Sequence, residues 1–303
     1  MPSVKKTPQP ENFYRILSSR YPGLVEKIKR LIEDSEKAFA GNSPEADGSF
    51  LWEHTCHVAS LAFRLAEEER RDPLLAAITA LFHDAGKFAE GRYHEGDVPE
   101  EAVGARLAGP ILKRSHLPEA DRRTVTEALQ SLYKDDADPH PLADIVHDAD
   151  FLSKFGALGV AQFFIKSTLR GRTLHAALMN SLSKELTYAA CLPLNMRTKA
   201  GRERAGQKAE ETRRYYDSLI RELGEARALA FRIRTYRIPD PRRRGRTIDF
   251  KLVLTAVCDS CGGPWSTTRT LKRGLKCERL ETKVLCRRCH AGHEIAFCLP
   301  ELR

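Results

Sequence analysis

Residues 72–88 read DPLLAAITALFHDAGKF, a helix that delivers an imidazole and a carboxylate together at its end. Asp72 is an N-cap residue type and Pro73 suits the first helical position, where a missing N–H costs nothing. The apolar run stops at His83-Asp84, just before Gly86. Upstream, FLWEHTCHVASLAFRLAEEER (50–70) sets His54, Val58, Leu61 and Leu65 at the i, i+4, i+7, i+11 spacing of one buried helical face, so His54 points inward among aliphatic neighbours. Downstream, DIVHDADFLSKFGALGVAQFF (144–164) reads as one long buried helix with Asp150 in its first turn, where the helix dipole favours a carboxylate. Asp148 lies about 200° round that helix from Asp150, so only one of the two faces a shared point. Two histidines and two aspartates on three apolar helices make a donor set for a divalent ion. Mixed His and Asp ligands suit a hydrolytic Mn, Fe, Co, Ni or Zn ion, or Mg, better than a structural site, which four Cys or His normally close.

The order H…HD…D, with HDAGK at 83–87 and HDADFL at 147–152, resembles the HD-domain phosphohydrolase superfamily across residues 15 to 225. That resemblance implies an all-helical core with His54, His83, Asp84 and Asp150 as metal ligands, and the Ala-Asp-x-Leu match selects Asp150 over Asp148. DADFLSKFGALGVAQF (148–163) and MRTKAGRERAGQKAEETRRYY (196–216) are similar to segments of bacterial nucleotide-phosphate hydrolases, which implies a nucleotide or phosphate-ester substrate. Two-metal relatives supply further histidines before the last Asp. The corresponding TVTEALQSLYKDD (124–136) has none, which favours a single ion. His94-Glu95 in GRYHEGD resembles the family's His-Glu pair beside the site, implying a proton donor or a partner of the ligands; a solvated surface loop is its alternative.

A divalent ion lowers the pKa of bound water toward about 7 and polarises a phosphoryl oxygen, so attack at phosphorus is the expected reaction. Lys87, one turn beyond Asp84, is placed to neutralise charge on the transferring phosphoryl group, with a helix C-terminal cap as the alternative. His57, at i+3 from His54 where relatives often carry an arginine, is expected at the rim as a phosphate contact. The expected catalytic set is therefore Asp84, Lys87, His94 and Glu95, with His57 and Lys87 binding substrate.

Charge and pattern change together near residue 230. Residues 1–230 hold 33 Lys and Arg against 34 Asp and Glu, whereas residues 231–303 hold 17 against 7. Helical periodicity gives way to alternating FRIRTYRI and IDFKLVLTAV around the loop PDPRRRGR. The expected fold is mainly α: a helical domain over 1–230, then a small β-rich domain over 231–303. Six of the eight cysteines lie in the last 46 residues, and Cys258-x-x-Cys261 with Cys286-x-x-Cys289 has the paired spacing of a structural zinc site. The pattern resembles a zinc ribbon with STTRTLKRGLKCERLETKVL as its long hairpin. Cys277, His290, His293 and Cys298 are spare ligand types, while Cys56 and Cys191 read as ordinary buried small residues. Four thiolates with one Zn²⁺ add about −2, so the basic excess survives metallation.

Arg242, Arg243, Arg244 and Arg246 form a basic loop, with Arg269, Lys272, Arg273 and Lys276 on the long hairpin. Such clusters footprint phosphate backbones, and Trp265 or Tyr236 could stack on an unpaired base of RNA or single-stranded DNA. No apolar run approaches the roughly 20 residues needed to span a bilayer, and MPSVKKTPQP lacks a signal-peptide core; a cytoplasmic protein without membrane contact is expected. Three functions remain open on the sequence. One is a nucleotide phosphohydrolase whose ribbon stabilises, oligomerises or targets it. Another is a nuclease or nucleic-acid-end phosphatase that holds its polymer with the basic domain. The third is a non-catalytic nucleotide sensor that binds nucleic acid.

Overall fold

The computed structural model describes residues 13–40, 50–89, 100–132, 140–227, 231–239, 245–258, 260–273 and 278–298. His94, Glu95, Arg242, Arg243, Arg244, Lys276 and Cys277 lie outside them. The chain forms two compact units, Met1–Asp150 and Phe151–Arg303.

The first unit contains α1 (Phe13–Arg20), α2 (Leu24–Ala40), α3 (Phe50–Glu68), α4 (Pro73–Phe82), α5 (Glu100–Lys113), α6 (Glu119–Ser131) and most of α7 (Pro141–Ser153). α4 is buried along its whole length apart from Pro73, because its residues are apolar on every side and α1, α3, α5 and α6 all pack against it. Its start follows the sequence reading: the Asp72 carboxylate accepts the Leu74 and Leu75 N–H groups at 2.8 and 3.0 Å. On α3, Val58 and Leu65 are fully buried beside Leu61, as the His54 stripe requires. Where the chain leaves α4, backbone meets backbone: a Cβ on Gly86 would lie 2.2 Å from the Glu100 carbonyl oxygen, and one on Gly104 3.2 Å from that of Phe82. The glycines let the first turns of α5 close over the end of α4.

The segment expected as one long helix from 144 is two helices. α7 begins at Pro141, with Leu142 N–H donating to His140 Nδ1 at 3.2 Å, and ends at Ser153. Asp150 therefore sits in its last turn, not its first, and the helix-dipole argument for it fails. Gly156, at φ +77°, opens α8 (Gly156–Leu169) after the extended Phe155. The freed backbone groups are satisfied by α10 (Lys199–Glu225), since Gly156 N–H donates to Thr212 Oγ1 at 2.8 Å and Lys208 Nζ donates to the Phe155 carbonyl at 3.0 Å.

The second unit adds α9 (Leu174–Asn195), the hairpin β1 (Phe231–Pro239) and β2 (Thr247–Thr255), and an antiparallel sheet of β3 (Trp265–Arg273), β4 (Glu278–Cys286) and β5 (Gly292–Cys298) in that order. β2 alternates as a strand should. Ile248, Phe250, Leu252 and Leu254 pack with Leu280, Val284, Ile295 and Cys191, while Val253 turns to Leu178, Leu182, Leu186 and Tyr216. The edge of β2 away from β1 is covered by α9, whose Thr187 and Ser183 hydroxyls accept the Lys251 and Val253 N–H groups at 3.0 and 2.9 Å. Helix gives way to strand between Glu225 and Phe231, at the place the charge and pattern indicate, yet the strands share one compact unit with α8, α9 and α10.

Candidate metal centre and cysteine cluster

Three helices bring four of the expected side chains to one point. His54 comes from the second turn of α3, His83 caps the C-terminus of α4, Asp84 follows it, and Asp150 projects from the last turn of α7. Donor atoms of His54, His83 and Asp150 all lie within 4.8 Å of one another. His54 Nε2 is 3.4 Å from Asp150 Oδ1 and 3.7 Å from Asp84 Oδ2; His83 Nε2 is 3.6 Å from Asp84 Oδ2 and 4.0 Å from Asp150 Oδ1. Donors bound about 2.0–2.2 Å from a common ion lie roughly 3 to 4.2 Å apart, so these separations fit one.

The protonation pattern points the same way. His83 Nδ1 lies 2.7 Å from the Ala80 carbonyl oxygen, an acceptor, which assigns the proton to Nδ1 and leaves a lone pair on Nε2. That Nε2 is buried and has no hydrogen-bond partner. Burial pushes the His54 imidazole below its ordinary value, against the pull of Asp150 and Asp84, and keeps it neutral. Burial would raise the Asp84 carboxyl, but the Lys87 ammonium leads the opposing effects and holds Asp84 well below the carboxylate range. Lone pairs thus face carboxylate oxygens in a site where His83 is 1% and Asp150 6% exposed, an arrangement that repels itself unless a cation lies among the acceptors.

Lys87 Nζ supplies part of that charge through a 2.7 Å ion pair with Asp84 Oδ2. Asp84 outweighs the opposing effect of burial and keeps this ammonium charged beyond its ordinary range. Lys87 is therefore tied to a candidate ligand, a contact the sequence reading did not include. His57, one turn along α3, is half-buried and outside the cluster of donor atoms. Two groups escaped the sequence reading altogether. Glu100, in the first turn of α5, has its carboxyl pushed up to about 7 by burial, against Lys87 and with Asp84 and Asp150 adding to the rise. The Gly86 and Gly104 spacing was the only trace of this approach in the sequence. The other is His147, fully buried on α7, whose Nδ1 donates to Asp148 Oδ1 at 3.0 Å.

In the second unit, the sulfurs of Cys258, Cys261, Cys286 and Cys289 also lie within 4.8 Å of one another. Cys258 Sγ is 3.6 Å from Cys289 Sγ, and Cys261 Sγ is 3.5 Å from Cys286 Sγ. Tetrahedral Zn–S bonds of about 2.3 Å place sulfurs about 3.8 Å apart, so the quartet fits Zn²⁺ and is far from the roughly 2.0 Å of a disulfide. The two knuckles repeat one hydrogen-bond pattern. Cys258 N–H donates to the Gly263 carbonyl and Gly262 N–H to that of Cys258; likewise Cys286 N–H donates to Ala291 and His290 N–H to Cys286. The residue after each second cysteine is left-handed, Gly262 at φ +68° and His290 at φ +61°. Both aromatics expected to stack on bases are partly buried against the apolar core. Trp265 Nε1 donates to the Thr255 carbonyl at 3.1 Å, and Tyr236 stacks on Phe250, because their strand positions face the apolar core.

Residues 51–154 match the family model of the HD domain, a span that includes all four candidate ligands and Lys87. No curated protein matches the chain. Among solved structures, a predicted HD superfamily hydrolase from an uncultured Thermotogales bacterium is 21% identical, over 70% of this chain and 99% of that one, with a TM-score of 0.48. An HD-superfamily hydrolase from Bacillus thuringiensis is 21% identical over 66% and 98%, with a TM-score of 0.47. Bacillus subtilis YpgQ, solved in complex with ADP, is 20% identical over 66% and 96%, with a TM-score of 0.44. Among the described residues no helix is long and apolar enough to cross a membrane.

Proposed function

The chain carries an HD domain over residues 51–154, and from that premise we propose that it is a divalent-metal-dependent phosphohydrolase acting on a nucleotide or nucleotide-derived phosphate ester. The observation that carries this reading is the buried, unpartnered Nε2 of His83 facing two carboxylates. His54, His83 and Asp150 would hold the ion, with Asp84 beside them. Bound there, a divalent cation supplies an activated water and a polarised phosphoryl oxygen. The chain's own residues do the rest. The Ala80 carbonyl fixes the His83 tautomer, so that its lone pair needs no reorganisation. Lys87 keeps Asp84 ionised and adds positive charge where phosphoryl oxygens gather negative charge. In this reading His57 contacts phosphate at the rim, and the His94-Glu95 pair delivers a proton to the leaving group.

Purified protein reconstituted with Mn, Co, Ni, Zn or Mg is to be screened against nucleoside mono-, di- and triphosphates, cyclic nucleotides and short oligonucleotides, with phosphate and pyrophosphate release measured separately. His83→Ala and Asp84→Ala are expected to lose divalent-dependent hydrolysis while the cysteine cluster keeps its zinc, since the two sites share no ligand. Full activity of Asp84→Ala with any of these metals would overturn the reading.

A further inference from the structure

A cleft of about 400 Å³ lies within the second unit, between α9, α10 and the β1–β2 hairpin, and none of the candidate metal ligands lines it. Its cations arrive from two elements. On the hairpin, Arg237 of β1 stands opposite Asp249 of β2, and Lys251, two residues on, shares that face. On α10, Gly206, Ala209 and Arg213 fall at i, i+3 and i+7 of one stripe, which brings Arg213 to the same cleft. Ala189, Ala190, Pro193 and Leu194, near the end of α9, supply an apolar wall.

The hairpin cations keep donors to spare. Asp249 lies 3.6 Å from Arg237 Nε and 3.9 Å from Lys251 Nζ, ion-pair distances beyond the roughly 2.7–3.2 Å of a hydrogen bond. It therefore holds the two side by side without spending their N–H groups, while Lys251 commits one of its own to Thr235 Oγ1 at 2.9 Å. Arg213 is paired with Glu210, both about half exposed. Such an ion pair contributes little, so a stronger anion displaces it at small cost.

Three cations against the single carboxylate of Asp249 leave the lining with an excess of two positive charges. A phosphate group, with a charge of about −1.5 to −2 at neutral pH and three acceptor oxygens, matches that excess, and a guanidinium fork meets its oxygens two at a time. A monocarboxylate would leave half of the excess unbalanced. The volume falls low in the range of about 300–1,000 Å³ for small-ligand pockets, so the space suits one small molecule, with the α9 wall beside whatever the phosphate carries. We infer that this cleft binds the phosphate group of a small molecule, with Arg213, Arg237 and Lys251 around the anion. The inference concerns the second unit and is independent of hydrolysis at the HD site.

The test titrates the full zinc-loaded chain, without added divalent metal, with AMP, inorganic phosphate and adenosine by calorimetry. AMP and phosphate are expected to bind saturably and adenosine far more weakly. AMP several-fold tighter than phosphate marks a phosphate ester whose body lies on the α9 wall, equal affinity marks the free ion, and either result supports a phosphate site. Replacing Arg213, Arg237 and Lys251 together by Ala should weaken AMP binding by on the order of 10-fold or more. Gly206→Glu sets a carboxylate into the cleft from a position where a Cβ meets nothing within 4 Å, so it preserves the helix and should weaken AMP binding similarly. Gly224→Glu adds the same charge to the same helix, also at an open Cβ but away from the cleft, and should bind as the parent does. Circular dichroism checks the fold of each variant, and Gly206→Glu decides if the triple variant unfolds. AMP binding within twofold of the parent in the folded cleft variants overturns the inference, because the nucleotide would then sit elsewhere. So do equal weakening by Gly224→Glu, adenosine binding as tightly as AMP, or no saturable binding of AMP and phosphate to the parent.

Discussion

Lys87 answers two needs at once, keeping Asp84 ionised inside the fold and adding charge to the metal site. Removing it as Lys87→Ala strands a carboxylate that is only 13% exposed, a loss of about 3 kcal/mol or more for a buried pair broken on one side. The metal-free variant should therefore melt well below the parent, and a divalent ion should recover more of its melting temperature than it adds to the parent. Turnover should fall by about 10²-fold, the usual effect of losing one preorganised charge contact. Unchanged kinetics with a lowered melting temperature would assign Lys87 to structure alone. Glu100 gives the site a pH signature. Its carboxyl titrates near 7 in the fold instead of 4.5, so the folded state holds a proton that the unfolded chain has released. That contribution is complete below 4.5 and is lost as pH rises to 7. Glu100→Gln removes the loss, so the melting temperature of the metal-stripped variant should match the parent near pH 4.5 and exceed it increasingly up to neutral pH. A difference that stays constant across that range would contradict the assignment.

At the scale of elements, the zinc knuckles depend on close backbone approach as much as on cysteine spacing. A Cβ on Gly263 would lie 2.8 Å from Arg288 Cβ, 2.9 Å from Cys286 Sγ and 3.2 Å from Cys261 Sγ. Gly263→Ala must therefore spread the sulfurs, and competition with a chromogenic chelator should show zinc affinity falling by about 10-fold or more, the scale seen when groups that orient metal ligands are disturbed. Gly224→Ala, with open space around its Cβ, is the control expected to keep its zinc. The Cys-x-x-Cys pairs were legible in the sequence because two such pairs have the spacing of a tetrahedral zinc site. The end of α7 was not legible. The run from 144 to 164 is apolar enough to read as one helix, and the bonds with Thr212 and Lys208, more than fifty residues away, help to hold the break at Phe155 and Gly156.

Over the whole molecule, the candidate donors and Lys87 belong to residues 1–150, while the strands belong with α8, α9 and α10. Cutting the chain after residue 230 would spare every proposed ligand of the HD site. It would also uncover the α9 face that buries Ile248, Phe250, Val253 and their neighbours, each worth roughly 1.5–3 kcal/mol of burial. The fragment 1–230 is accordingly expected to aggregate or to lose helix relative to the full chain, as gel filtration and far-UV circular dichroism would show. A monomeric fragment with undiminished helicity would mean that α8, α9 and α10 hold together without the strands.

The sequence by itself determined what depends on neighbours along the chain. The Asp72 cap, the His54 stripe, the His83-Asp84 pair at a helix end and the cysteine spacings are matters of periodicity and covalent distance, so a single strand of letters carries them. Tertiary structure decided the rest: that Asp150 reaches the site from the last turn of a helix, that Lys87 is held by Asp84, that Glu100 comes near them through the Gly86–Gly104 crossing, and that a helix covers the open edge of β2. Each of these is a contact between segments whose order in the chain does not specify their approach. Burial and the demand that every buried polar group find a partner select that approach, and both act only once the chain has packed.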